Sequence, residues 1–587
     1  MSIVLKILGF LNKKEKQRSF ILFILILLTG FVDTLGIASI FPFISILSDP
    51  NLINTNPTLN FLSIKFDQLG ITNYFPFQKI FGYGILIFFI ISIFLRSITN
   101  YLQIRFVNMR EYSLSKRILN YYLNQKYSWF TQQSASNLSR NILSEVGEFI
   151  DKSFMPLLNI VAYGILIILL LSVLFYTDPS TTLIIFLIIS ISYLIFYTLL
   201  KKILEKKGQK RFYSNKNRYK LLDEVFSGIK QVKISSQETY FSKLFALYSY
   251  DYAKSNSAAQ AIAQIPRFVI EAIAFGGLLI LILIKIDEES FLGTLPIISL
   301  IAFAGYRMLP AFQQIYIALS QLRYSNVIVD HMEQMFQKIN EVKLVDKNFR
   351  ENIVFKKSIK LNNVDFKYQE SNNLILDKIN LVIPCKSKVG IIGPTGGGKT
   401  TLIDVIIGLL EPIKGHVLID EIQLNQKNKY GWYKQFGYIP QDTFLIDDNI
   451  YHNVAFGIDA NEINKKKVEE VCKIACLEDF INNELPNNYN TIIGDRGIKL
   501  SGGQKQRISI ARSLYNEPSI LVMDEATSAL DIETELKIID NINKLKNDIT
   551  IIMIAHRHVT LKNCDIIIEI DKGKITRTGT YNELLKN

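Results

Sequence analysis

Cysteine is nearly missing from this chain: four residues in 587, Cys385, Cys472, Cys476 and Cys564, all in the C-terminal part. Four thiols in so long a sequence build no disulfide framework, and they read as reduced and cytosolic. Cys472 and Cys476 share a helical face, but no matching Cys or His pair lies near them, which sets aside the two-pair zinc patterns. Charge is scarce as well. Charged residues make up 20% against 49% hydrophobic, and the mean hydropathy is +0.20, too apolar for a disordered chain and high for a wholly soluble one. Acids trail bases, 53 to 66, leaving a net charge of +13 that nucleic acid, anionic headgroups or an acidic substrate could each use. Where the bases lie decides between them. A length/150 prior gives about four domain-sized units, an overcount where one is a large membrane bundle.

The long apolar runs lie in the first half. Six are centred on Phe20 to Leu47, Ile80 to Tyr101, Met155 to Tyr176, Thr181 to Leu200, Phe268 to Ile284 and Phe291 to Leu319, the last with polar interruptions. At about 18 to 28 residues and ~1.5 Å per residue, such runs cross a ~30 Å hydrocarbon layer. The first is too long for a cleaved signal and no small-residue cleavage site closes it. Bases gather on alternate sides: Lys13, Lys14, Lys16 and Arg18 before the first run; Arg105, Arg110, Lys116, Arg117, Lys126 and Arg140 between the second and third; Lys201, Lys202, Lys206, Lys207, Lys210 and Arg211 after the fourth. Because Lys and Arg stay on the cytoplasmic side, both termini are expected there. Topology thus accounts for much of the positive charge, and no nucleic-acid partner is expected. Met1 to Leu11, with Ile3, Val4, Ile7, Leu8 and Leu11 on one side, is expected to lie as an amphipathic helix in the interface. Arg105 to Asp151 is expected to continue the membrane helices into the cytosol.

After about Phe355 short β-branched runs alternate with polar turns and helices, the pattern of an α/β domain. The expected division is a transmembrane domain at 1–325, a connector at 326–356 and a soluble α/β domain at 357–587. In the soluble part the strand Val389 to Ile392 runs into Gly393-Pro394-Thr395-Gly396-Gly397-Gly398-Lys399-Thr400-Thr401 and then a helical run. That is G-x-x-x-x-G-K-T in strand-loop-helix context: glycines turn backbone N–H groups toward phosphate oxygens, Lys399 reaches the outer phosphates and the Thr400 hydroxyl faces Mg²⁺. Farther on, Ile520-Leu-Val-Met-Asp524-Glu525 is a buried strand ending in two acids. Asp524 stands where a carboxylate holds Mg²⁺ and Glu525 where one polarises the attacking water. Leu500-Ser501-Gly502-Gly503-Gln504 ahead of a basic helix forms a second anion-binding nest.

Two phosphate cradles in one chain, one of them reading LSGGQ, resemble the nucleotide-binding domain of an ABC transporter over about residues 357 to 587. The resemblance implies an α-helical six-span bundle of ABC exporter type joined to an α/β P-loop ATPase domain, with ATP and Mg²⁺ as cofactors. It further implies that Tyr368 stacks on adenine, Gln441 touches Mg²⁺ and senses the membrane domain, Asp531 in Ser528-Ala-Leu-Asp531 communicates between sites, and His556 contacts the γ-phosphate. Ser is often the middle residue in exporters where this chain has Gly396-Gly397-Gly398, a change that should not alter the chemistry. The family sets the signature of one subunit against the phosphate loop of another, so a half-transporter with every catalytic position filled is expected to act as a homodimer.

Three arginines approach the inner leaflet within or at the ends of spans: Arg96, Arg267 and Arg307. Ionisable residues there are functional by default, and planar guanidinium forks suit phosphate. Glu271, one turn from Arg267, could simply pair with it. The wording around them, Gln264-Ile-Pro-Arg267-Phe-Val-Ile-Glu271 and Tyr306-Arg307-Met-Leu-Pro310, resembles the lipid-linked oligosaccharide flippases of bacterial protein N-glycosylation. That resemblance implies arginines binding the pyrophosphate of a polyprenyl-linked glycan, and an external helix within Asn51 to Phe77, where Leu62, Phe66 and Leu69 recur at helical spacing. The expected protein is therefore a multi-pass ATPase of the bacterial inner membrane, carrying a lipid-linked glycan or other anionic lipid to the outer leaflet among membrane lipids. Lipid A, phospholipid or amphipathic drugs are the alternative cargo, and an ATP-gated channel or regulator the alternative class. No peptidase-like segment precedes the first span, so peptide maturation is not expected.

Overall fold

The computed structural model describes residues 3–48, 52–68, 77–285, 291–341, 353–368, 373–494, 497–525, 530–545, 549–554 and 560–585. They form two compact units, one of residues 1–124 and 133–343, the other of 344–587 together with 125–132.

The first unit is helical. Its elements are α1 (Ile3–Gly9), α2 (Lys13–Ala38), α3 (Ile40–Ser48), α4 (Leu52–Thr55), α5 (Pro57–Gln68) and α6 (Phe77–Leu123), followed, beyond the short α7 (Tyr127–Phe130), by α8 (Ala135–Arg140), α9 (Val146–Phe149), α10 (Met155–Thr177), α11 (Pro179–Ser227), α12 (Ile229–Ile234), α13 (Glu238–Lys285), α14 (Phe291–Tyr324) and α15 (Asn326–Glu341). Among the described residues five helices are long and apolar enough to cross a membrane: Lys13–Ser48, Phe77–Leu123, Ala135–Thr177, Pro179–Ser227 and Glu238–Gly277. The sixth run is helical too, as α14, but it carries Pro296 and Pro310 in its interior and the charge of Arg307. The core of this unit joins Ile37, Leu166, Leu170, Leu174, Leu300, Ala304 and Met308, from α2, α10 and α14.

One local expectation changed. The N-terminal helix docks on protein: Ile7 is fully buried, Lys6 pairs with Asp330 at 2.8 Å and Glu333 at 2.7 Å, and Phe10 meets the Phe149 and Phe336 rings edge-on. Two acids on α15 and an aromatic socket outweigh the interface as a home for so short an amphipathic segment. Three of the bases counted for topology, Arg110, Arg140 and Arg211, are buried and matched by Glu15, Glu145 and Glu148. The outer segment does fold as the helix α5. It tucks Leu59 and Phe66 against Ile46 and Phe77 and leaves Phe61 and Ile64 exposed; Leu69 lies outside the described residues.

The second unit holds β1 (Ser358–Phe366), β2 (Leu376–Pro384), β3 (Lys388–Ile392), β4 (Lys414–Ile419), β5 (Ile422–Gln423), β6 (Phe436–Ile439), β7 (Ile520–Asp524), β8 (Thr550–Ile554), β9 (Ile566–Asp571) and β10 (Lys574–Gly579). β2-β1-β4-β5 make an antiparallel sheet, and the larger sheet runs β10-β9-β3-β8-β7-β6. From β9 through β6 its pairs are parallel, and β7 and β8 are buried throughout, as strands covered on both faces must be. β8 lies between β3 and β7, with Ile554 opposite Ile391 on one side and Asp524 on the other. The carboxyl ends of three neighbouring strands therefore open at one edge, where ligands of such sheets bind. The segment 125–132 belongs to this unit, where Lys126 pairs with Glu411 at 2.5 Å.

Candidate functional site

Glycines shape the loop after β3. Gly393 takes φ +147°, and a Cβ there would stand 2.0 Å from the Ile570 carbonyl oxygen; Gly396 (φ +79°) and Gly398 (φ +104°) are left-handed. Only glycine fits this run without strain. Gly398 opens α16 (Lys399–Ile407), whose N-terminal N–H groups and dipole face the loop. Lys399 bridges the arc, its Nζ donating to the Gly393 and Pro394 carbonyls at 2.9 and 3.0 Å. Thr400 is exposed while Thr401 is buried, and the Tyr368 hydroxyl stands 3.5 Å from Thr401 Oγ1. In the same loop Thr395 is exposed and Gly397 buried.

Across β8 lie the acids. Asp524 ends β7 inside the protein, where burial, and then Glu525, raise its carboxyl pKa. The Tyr438 hydroxyl donates to its Oδ2 at 3.4 Å. Glu525 turns out of the strand at φ +51°, a left-handed conformation costing about 1 kcal/mol or more for a residue with a side chain, and Gln441 Nε2 donates to its Oε2 at 2.6 Å. Asp404, on α16, is the carboxyl that motif reading missed: burial, with Asp524 beyond it, pushes it up to about 6. Tyr127 faces the same place, its phenol pKa raised by burial and by Asp404 and Tyr368. Among the described residues no group of three His, Cys, Asp or Glu could cage a metal, and Mg²⁺ needs none, since one carboxylate, a hydroxyl and substrate phosphates satisfy it. Asp524, Thr400 and the Gln441 amide oxygen are hard donors that fit it.

The second nest starts α21 (Gly502–Tyr515). Ser501 caps it reciprocally: its Oγ accepts from Gln504 N at 3.3 Å and its N–H donates to Gln504 Oε1 at 2.8 Å. Ser501 and Gly502 are exposed, so the helix presents its N-terminus outward. Among the described residues no hydrogen bond or ion pair joins 500–504 to the loop at 393–401. Asp531 caps α22 (Ile532–Leu545), accepting from Thr534 N at 2.9 Å, which lowers its carboxyl pKa. Ser528 and His556 lie outside the described residues.

Family models match in the same places: "ABC transporter" over residues 376–528 and "ABC transporter transmembrane region" over 19–284. ABC transporter B family member 29, chloroplastic, of Arabidopsis thaliana is 31% identical over 75% of this chain and 69% of its own. The chain belongs to the ABC transporter family. An ATP-dependent lipid A-core flippase of Ralstonia nicotianae is 27% identical over 81% of this chain and 79% of its own. The fold is that of a bacterial Atm1-family ABC exporter with ATP bound, at TM-score 0.76, 22% identity and 98% and 97% coverage. The protein is thus an ABC exporter half-transporter whose nucleotide domain binds ATP and hydrolyses it to drive transport.

In the transporter's membrane unit the three arginines part company. Arg267 Nε donates to Glu271 Oε1 at 2.6 Å, one turn along α13. Arg307, half-buried on α14, makes no ion pair among the described residues. Arg96 lines a cavity of about 370 Å³ between α2, α6 and α10, with Thr29, Asp33, Thr99, Gln103 and Asn159 among its walls. Neither Arg267 nor Arg307 lines that cavity. Asp33, an acid in the middle of the first apolar run, went unremarked in the sequence beside the arginines. It accepts from Ser92 Oγ and stands 3.7 Å from Arg96 Nη1.

Proposed function

We propose that the protein is an ATP-driven flippase that moves a lipid-linked oligosaccharide, headed by pyrophosphate, from the inner to the outer leaflet of a bacterial inner membrane, with both termini in the cytoplasm. The observation that carries the reading is Arg96: a guanidinium lining a cavity of mixed polar and apolar walls within the apolar helices, with no hydrogen bond among the described residues. Arg267 and Arg307 would extend the phosphate contact once the bundle rearranges. Two chains act together as a homodimer, each completing the other's site with Ser501, Gly502, Gly503 and Gln504. Thr400, Gln441 and Asp524 hold Mg²⁺, which when bound neutralises phosphate oxygens. Gln441 holds the Glu525 carboxylate in place to polarise the attacking water, and Tyr368, Asp531 and His556 take the roles that the family motif gives them.

Lipid A is the second reading, favoured by the lipid A-core flippase among the relatives; it too presents phosphate to an arginine. The test is ATPase activity and leaflet transfer by the protein in liposomes. The lipids compared are polyprenyl-pyrophosphate oligosaccharide, polyprenyl phosphate and lipid A-core, with Glu525→Gln as the hydrolysis blank. Stimulation and transfer with the first lipid alone support the glycan reading, and a response to lipid A-core alone transfers it to the second. Transfer that persists in Glu525→Gln would overturn ATP-driven pumping in favour of a channel.

A further inference from the structure

Arg96 is a half-exposed cation held loosely beside a buried acid. Its side chain is 41% exposed, and its one ionic partner among the described residues, the 6% exposed Asp33, stands at 3.7 Å, beyond hydrogen-bond reach. None of its N–H donors is in a hydrogen bond among the described residues. Asp33, in contrast, is anchored. Ser92, one helical turn before Arg96 on the same face of α6, donates to Asp33 Oδ1, a bond the acid would have to give up to follow the arginine toward a ligand. The walls around them are set by their own bonds, Thr29 to Thr99 at 2.6 Å and Gln103 to Asn159 at 2.9 Å, while the guanidinium, among the described residues, has none.

We infer that Asp33 is a tethered competitor for Arg96: it neutralises the guanidinium between loads, yields to a phosphate-bearing lipid headgroup, and by like-charge repulsion drives that headgroup off again. This deepens the phosphate reading of Arg96 and rests on it. A phosphate makes short charge-assisted bonds to an arginine fork, which the anchored carboxylate at 3.7 Å does not, so exchange favours the ligand. The carboxylate, 6% exposed, stays behind and opposes the bound anion. A carrier needs both halves of this behaviour, since a site that only binds does not release.

The test is titration of the full-length protein with polyprenyl pyrophosphate in nanodiscs of zwitterionic lipid, followed by native mass spectrometry, alongside transfer assays in liposomes. A parallel arm uses inorganic pyrophosphate to separate a free anion from a lipid headgroup. Asp33→Asn is expected to tighten lipid binding on the order of tenfold while slowing transfer at saturation, the signature of lost repulsion. Ser92→Ala, which frees the carboxylate to close on Arg96, is expected to weaken binding, and Arg96→Ala to lose it. Weaker binding in Asp33→Asn, or no change in it, overturns the competition while leaving the Arg96 reading intact. Unchanged binding in Arg96→Ala overturns both. Pyrophosphate binding as tightly as the lipid reassigns the site to a free anion and removes the carrier cycle.

Discussion

His331 carries its imidazole into a cluster of cations. The ring is packed against Phe212 at 5.3 Å between centroids, its Nε2 lies 3.1 Å from Asn141 Oδ1, and burial, followed by Arg140, Lys216 and Lys338, pushes its pKa down to about 4. In the unfolded chain the same group titrates at its ordinary value of 6.5. Between those values the unfolded state binds the proton and the folded state does not, so stability is present above pH 6.5 and drains away as pH falls toward 4. The loss is on the order of 2 kcal/mol, discounted for partial exposure. His331→Gln keeps a neutral hydrogen-bonding group at every pH. Thermal unfolding in detergent should show the variant and the parent alike at pH 7.5, with the parent losing several degrees more by pH 4.5. Parallel curves would mean that the ring already carries its proton in the folded state.

Above the residue, the Ala135–Thr177 span shows what an element can hide. Two π-helical turns, Asn141–Glu145 and Ile150–Phe154, flank α9, and the first delivers a fully buried Glu145 between Arg140 at 3.6 Å and Arg211 at 3.4 Å, with Asn215 Nδ2 donating to it at 3.3 Å. Burying one anion between two cations is sound only while all three remain. Glu145→Ala leaves Arg211 (1% exposed) with Glu148 alone and takes from Arg140 (3% exposed) the acid beside it, and should cost about 3–5 kcal/mol, seen as a lower unfolding temperature and loss of monodisperse protein. The double change Glu145→Leu with Arg140→Met should recover much of it. The helices themselves were legible in the sequence, since six apolar runs of spanning length leave few other structures. The π turns were not, because widening one turn by a residue changes neither composition nor hydropathy. The ion pairs of the buried Arg110, Arg140 and Arg211 were not legible either: counting bases along a segment says nothing about acids that the fold brings from elsewhere.

At the scale of the whole molecule, the same contrast separates the two sites. The nucleotide site reads directly from the chain because its phosphate loop, strand-end acids and signature are contiguous words whose spacing the backbone dictates. The intramembrane cavity unites Asp33, Arg96 and Asn159 from three helices, and no spacing encodes that meeting; Asp404 and Tyr438 reach Asp524 by the same kind of long-range packing. The outward-facing nest at Ser501–Gln504, with no bond to the loop at 393–401 of its own chain among the described residues, makes a mixing experiment decisive for the homodimer. One chain carries Lys399→Ala, which empties its phosphate loop of charge. The other carries Gly502→Asp, which sets a carboxylate where the nest receives an anion. Each alone should hydrolyse ATP at background. In a dimer of one of each, the intact loop of the second chain meets the intact nest of the first, so co-expression should restore about a quarter of the parental rate, half the dimers being mixed with one sound site each. No recovery, with mixed dimers verified by two affinity tags, would place loop and nest of each site within one chain and remove the need for a partner.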